Sequence, residues 1–171
     1  MGIHGKGERG GAMVEFVLAG VASAALMIST AQIALAMWNY HTLAYAVHET
    51  NRYIASHGRD CSLGGNSCTI TVGNIVSKLT ANAVGLLPAN INMTLTSASG
   101  NTYNCNPISN CSSDTTLWPP ATNFDNMPPN NTTVQASYSV YSAIVALWYG
   151  WRGQRISSIS LTAQSQIPML F

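Results

Sequence analysis

From Ala12 to Trp38 the chain runs through apolar and small residues almost without interruption: no Lys, Arg or Asp falls within it, and Glu15 is its one ionised side chain. A helix rises about 1.5 Å per residue, so this run crosses a hydrocarbon core of about 30 Å with residues to spare. The pattern predicts a transmembrane helix over 11–38. Past it, Leu43, Val47 and Ile54 recur on one helical face. The helix is therefore expected to continue through Asn39 to about His57, with Gly58 placed to cap it. Ile75, Val76, Leu79, Ala83 and Leu86 repeat the helical spacing ahead of Pro88, which predicts a second, shorter helix.

The period then changes. Ile91, Met93 and Leu95 alternate with Asn and Thr, as do Val134, Ala136, Tyr138 and Val140 with polar residues, and finally Ile159, Leu161 and Ala163. Alternation predicts three strands with one apolar face each, forming a small antiparallel sheet packed on a helix, so the fold class is α+β. Residues 97–133 are rich in Asn, Ser, Thr and Pro, including Pro119-Pro120 and Pro128-Pro129, and read as one long loop. Trp118 and Phe124 are expected to anchor this loop on the domain, the other reading being contact with a partner. Tyr138 to Trp151 is apolar but too short for a second membrane span, leaving core packing or an interface carried by Trp148 and Trp151. Three regions follow: a cytoplasmic leader 1–10, the transmembrane helix 11–38, and an extracytoplasmic domain 39–171.

Charge changes the picture mainly by its scarcity. Asp, Glu, Lys and Arg make up 8% of the chain and the formal net charge is +1. The domain surface must be polar yet nearly uncharged, and no basic stripe exists for nucleic acid. Lys6 and Arg9 precede the apolar run, and the next Lys or Arg is Arg52, which by the positive-inside rule is expected to keep the N-terminus in the cytoplasm and export the rest. Trp38 and Tyr40 suit the aromatic belt at the outer interface. Ala34-Leu35-Ala36 resembles a signal-peptidase site, but the apolar region before it is too long for a secretory signal.

Candidate chemistry narrows further by spacing. Cys61, Cys68, Cys105 and Cys111 allow three connectivities, of which local pairing of Cys61 with Cys68 and of Cys105 with Cys111 is preferred, because each closes a short loop containing Gly, Asn, Ser or Pro. A zinc site is not favoured: the spacings exceed CxxC, and only His57 lies near either pair. His41 and His48 are about 10 Å apart along a helix, too far for a shared metal. His48-Glu49-Thr50-Asn51-Arg52 lacks the second histidine of a zinc-protease helix, and Gly5-Lys6-Gly7-Glu8-Arg9-Gly10 has no preceding strand to make it a dinucleotide loop. The acids of the exported part, Glu49, Asp60, Asp114 and Asp125, are widely separated, and no nucleophile elbow or phosphate loop occurs. No cofactor and no enzymatic activity are expected. Asn92, Asn110, Asn130 and Asn131 open glycosylation sequons, which matter only in a eukaryotic secretory setting.

Glu15 requires an explanation, since a carboxylate at membrane depth costs a few kcal/mol. Its place near the start of the helix softens that cost through the positive end of the helix dipole and through snorkelling. Around it, Arg9-Gly10-Gly11-Ala12-Met13-Val14-Glu15-Phe16-Val17-Leu18 is similar to the opening of the TadE-like family, minor pseudopilins of the tight-adherence (Flp-type) pilus. Asn51-Arg52-Tyr53 also resembles a stretch that follows the membrane helix in that family, and Ile156 through Ala163 resembles its closing strand. The resemblance implies cleavage by a prepilin peptidase between Gly10 and Gly11, which makes Glu15 the fifth residue of the mature chain and Phe16 the sixth. It further implies that Glu15 pairs with the new N-terminal amine of a neighbouring pilin or pseudopilin subunit. A pair of that kind sets axial register, because each buried charge is stabilised only when the other is in place. The expected function is that of an assembly component of such a pilus in the bacterial inner membrane, serving adhesion or biofilm formation. The alternative is a membrane-anchored periplasmic ligand-binding module.

Overall fold

The computed structural model describes residues 8–58, 68, 70–140 and 159–170. Helix α1, Glu8–Ala55, is 48 residues long, uninterrupted by proline and rich in Ala, Leu and Met, which favour the helix. It ends two residues short of the expected His57. The described residues fall into two units, the first holding α1 up to Ala36 and the second beginning at Met37.

In the first unit the helix exposes apolar side chains such as Phe16, Leu18, Leu26 and Met27, and Glu15 is its one exposed ionised group over residues 11–36. Its hydroxyls do not break that character. Ser23 donates to the Gly20 carbonyl at 3.0 Å, Ser29 to Ala25 at 2.7 Å and Thr30 to Met27 at 2.9 Å, so each is satisfied by its own helix. The helix is long and apolar enough to cross a membrane.

The second unit is the α+β domain. The C-terminal part of α1 supplies Leu43, Val47 and Ile54, all fully buried. Helix α2, Val72–Asn82, starts at a capping box in which Thr71 and Asn74 satisfy each other's backbone N–H groups. It buries Ile75, Val76 and Leu79, the residues whose spacing predicts it. Strands β1 (Ile91–Thr96), β2 (Thr102–Cys105), β3 (Asn131–Val140) and β4 (Ile159–Pro168) form one antiparallel sheet in the order β2-β1-β3-β4. Pairing of β3 with β4 is continuous from Asn131↔Pro168 to Val140↔Ile159. Ile91, Met93, Leu95, Val134, Ala136, Tyr138 and Ala163 point to the buried side, as their alternation requires.

The opposite face carries Thr102 and Asn104 on β2, Asn92, Thr94 and Thr96 on β1, and Ser, Thr, Asn and Gln along β3 and β4.

The expected loop 97–133 is more structured than its composition suggests. It contains β2, so the sheet has four strands where alternation marked three. Tyr103 pairs with Leu95 and Cys105 with Met93 on the core side, and this pairing makes a strand of four residues too short to show a period. A 3-10 turn, Ile108–Cys111, follows and buries Ile108. Farther on, the loop lies against the start of α2: Val72 N–H donates to Thr116 at 2.8 Å, Gly73 N–H to Asp114 at 2.9 Å, and Trp118 N–H to Ile70 at 3.1 Å. A Cβ at position 73 would sit 2.8 Å from the Asp114 carbonyl oxygen, so this approach requires glycine.

Candidate functional site

The residues expected to engage a peptidase and a neighbouring subunit lie at the head of α1. Gly11 has open space where a Cβ would stand, and Glu15 and Phe16 are exposed, Phe16 at 79%. Among the described residues Glu15 has no ion-pair or hydrogen-bond partner. A carboxylate and an aromatic ring thus adjoin on an apolar helix that nothing else in the described chain covers.

In the domain, Cys105 is bonded to Cys111 as expected, closing β2 onto the 3-10 turn. A loop this short removes about 2 kcal/mol of denatured-chain entropy when cross-linked. Cys68 is disulfide-bonded, while its expected partner Cys61 lies outside the described residues, as do Trp148 and Trp151. The loop aromatics divide. Trp118 is buried and meets Tyr103 edge-on at 6.4 Å, so it anchors the loop and is not available as a surface contact. Phe124, expected to anchor as well, is 63% exposed and has a left-handed backbone with φ 60. His41 and His48 are exposed as expected, and His57 Nδ1 lies 2.6 Å from the Tyr53 carbonyl oxygen.

Three polar arrangements had no local signal in the sequence. Asn51 is fully buried, and its amide donates to the Ser165 carbonyl at 2.8 Å and the Thr132 carbonyl at 3.2 Å, tying α1 to β3 and β4. Asp125, 1% exposed, accepts from Ser99 N–H at 3.0 Å, from the Ser99 hydroxyl and from the Asn101 amide at 3.3 Å. Burial pushes its carboxyl up, but hydrogen bonds from Ser97, Ser99 and Asn101 outweigh burial and hold it below the usual carboxylate value. Asp114 accepts from the Tyr103 hydroxyl and from Thr116, which lowers its carboxyl and raises the Tyr103 phenol.

An open groove of about 530 Å³ runs past His48, Glu49, Arg52, Tyr53, Lys78 and Leu170. Glu49 lies 3.3 Å from Arg52 and 3.7 Å from His48, so the groove holds no strong charge of one sign. Among the described residues no group of His, Cys, Asp and Glu is arranged to hold a metal ion. Comparisons with protein-family models, curated proteins and solved structures return no match to this chain.

Proposed function

We propose that this protein is a minor pseudopilin of the TadE-like kind, an assembly component of a tight-adherence pilus held in the bacterial inner membrane. One observation carries the reading: counted from a cut between Gly10 and Gly11, Glu15 is the fifth residue of an apolar helix whose surface is exposed. An apolar helix of that kind requires lipid or other helices around it, and its hydroxyls at Ser23, Ser29 and Thr30 are satisfied by the helix's own carbonyls, as a lipid environment demands. In this reading Lys6 and Arg9 stay on the cytoplasmic side, where the peptidase acts, and Trp38 and Tyr40 mark the outer interface. Glu15 would then meet a cationic N-terminus from the next subunit in a low-dielectric setting, where the attraction far exceeds its value in water. The α+β domain would stand outside the cytoplasm, where disulfides such as Cys105–Cys111 persist.

Mass spectrometry of membrane-extracted protein tests this directly. When the chain is produced with its matching prepilin peptidase, the mature protein is expected to begin at Gly11. An intact leader under those conditions would overturn the assignment.

A further inference from the structure

Trp118 is withdrawn from the outer surface, yet its indole carries an unmet requirement. The residue is 4% exposed, and its Nε1 is enclosed without a hydrogen-bond partner. An indole N–H can only donate, and a buried donor left without an acceptor is costly enough that folded proteins seldom keep one. Trp118 borders a small cavity of about 90 Å³, and so does His57. The imidazole is held in one tautomer. Its Nδ1 lies 2.6 Å from the Tyr53 carbonyl oxygen, which can only accept, so Nδ1 carries the proton and Nε2 of the neutral ring is an acceptor. Packing against the Tyr53 ring, 4.3 Å between centroids, fixes the direction of the imidazole.

The cavity is held open by the fold around it. Trp118 N–H donates to the Ile70 carbonyl at 3.1 Å and Leu117 bridges to Thr71, which ties the loop to the start of α2. Ile70 and Pro119 are buried and supply apolar wall, while Ala121 stands on the exposed rim. Among the described residues that border the cavity none is Asp, Glu, Lys or Arg, so it favours a neutral group. A donor and an acceptor set among apolar walls are the complement of a secondary amide, whose carbonyl accepts and whose N–H donates. The volume holds about three water molecules, which is the bulk of an amide carrying one methyl group. A peptide amide continues into chain on both sides and does not fit so short a space, whereas an acetamido group hangs from a sugar ring and enters methyl first. We propose that this cavity binds the pendant acetamido group of an N-acetylated sugar, with Trp118 donating to its carbonyl and His57 accepting from its N–H. The site lies wholly within the α+β domain, so it stands or falls separately from the pilus reading.

The test is NMR of the full chain labelled with nitrogen-15 at tryptophan, in micelles of a detergent without sugar. The chain has four tryptophans, and the variant Trp118→Phe identifies the indole signal that belongs to Trp118. Titration with the trimer of N-acetylglucosamine is expected to move that signal saturably, while cellotriose, a neutral sugar trimer without acetamido groups, leaves it in place. By calorimetry, Trp118→Phe should weaken trimer binding about fivefold or more, the equivalent of one lost hydrogen bond. Trp118 also packs in the core, so a second variant separates binding from folding. Ala121→Phe sets a ring at the exposed rim and should abolish trimer binding with the unfolding midpoint unchanged. No movement of the Trp118 signal with the trimer, an equal response to cellotriose, or full binding by Ala121→Phe would each overturn the proposal. Movement of that signal by N-acetylalanine methylamide but not by the trimer would overturn the sugar assignment and give the cavity to a peptide amide.

Discussion

Asn51 shows how a single polar residue holds the domain in register. It occupies the buried stripe of α1 between Val47 and Ile54, where helical periodicity alone favours an apolar residue. Its amide reaches backbone carbonyls 81 and 114 residues away in the chain. Substitution by Ala leaves those carbonyls without the donor and opens a small void, so Asn51→Ala is expected to destabilise the domain by about 1–3 kcal/mol, measured by denaturant titration of the full chain in micelles. Nothing in the neighbourhood of Asn51 signals this role, because the groups it satisfies come from Thr132 and Ser165 and are brought to it only by folding. Phe124 is the reverse case. An aromatic residue in a polar loop favours an anchoring role on average, yet Phe124 is exposed on a left-handed backbone, and Trp118 is the loop aromatic that is buried.

Among the elements, legibility followed length. The helical spacing of Ile75, Val76 and Leu79 marks α2, and the alternation in Ile91–Thr96 and Asn131–Val140 marks β1 and β3, because each runs long enough to show its period. Strand β2 is defined by its pairing to β1 instead, and its core-facing residues are Tyr103 and Cys105 alone. The region after β2 is held by point ties, of which Asp125 makes one by gathering Ser99 and Asn101. Its carboxyl is depressed in the folded state, so the stabilisation it supplies is present above the unfolded value of about 3.9 and is lost as pH falls through the folded one. Asp125→Asn is expected to lower stability at neutral pH and to flatten the decline in stability below about pH 4. Unchanged acid dependence in urea titrations across that range would show that the loop is held by other contacts.

For the whole molecule, composition and the apolar run are enough to expect an apolar helix joined to an α+β domain, and both are present. The proposed assembly role depends on the register of Glu15 against Gly10 and Gly11, a relation within a few residues that the fold of the domain does not determine. Glu15→Ala is therefore expected to leave membrane insertion and domain folding unchanged while abolishing pilus assembly, scored by carbonate extraction and by electron microscopy of piliated cells. Normal piliation would remove Glu15 from the mechanism. The unbroken ladder between β3 and β4 bears on how such a molecule can vary. Because Val140 and Ile159 are themselves paired, the chain that leaves β3 must return beside its own point of departure, whatever its length. Val140 and Ile159 thus act as two fixed, adjacent posts at the end of the sheet, and a substitution that unpairs them would separate the two ends of the chain between them.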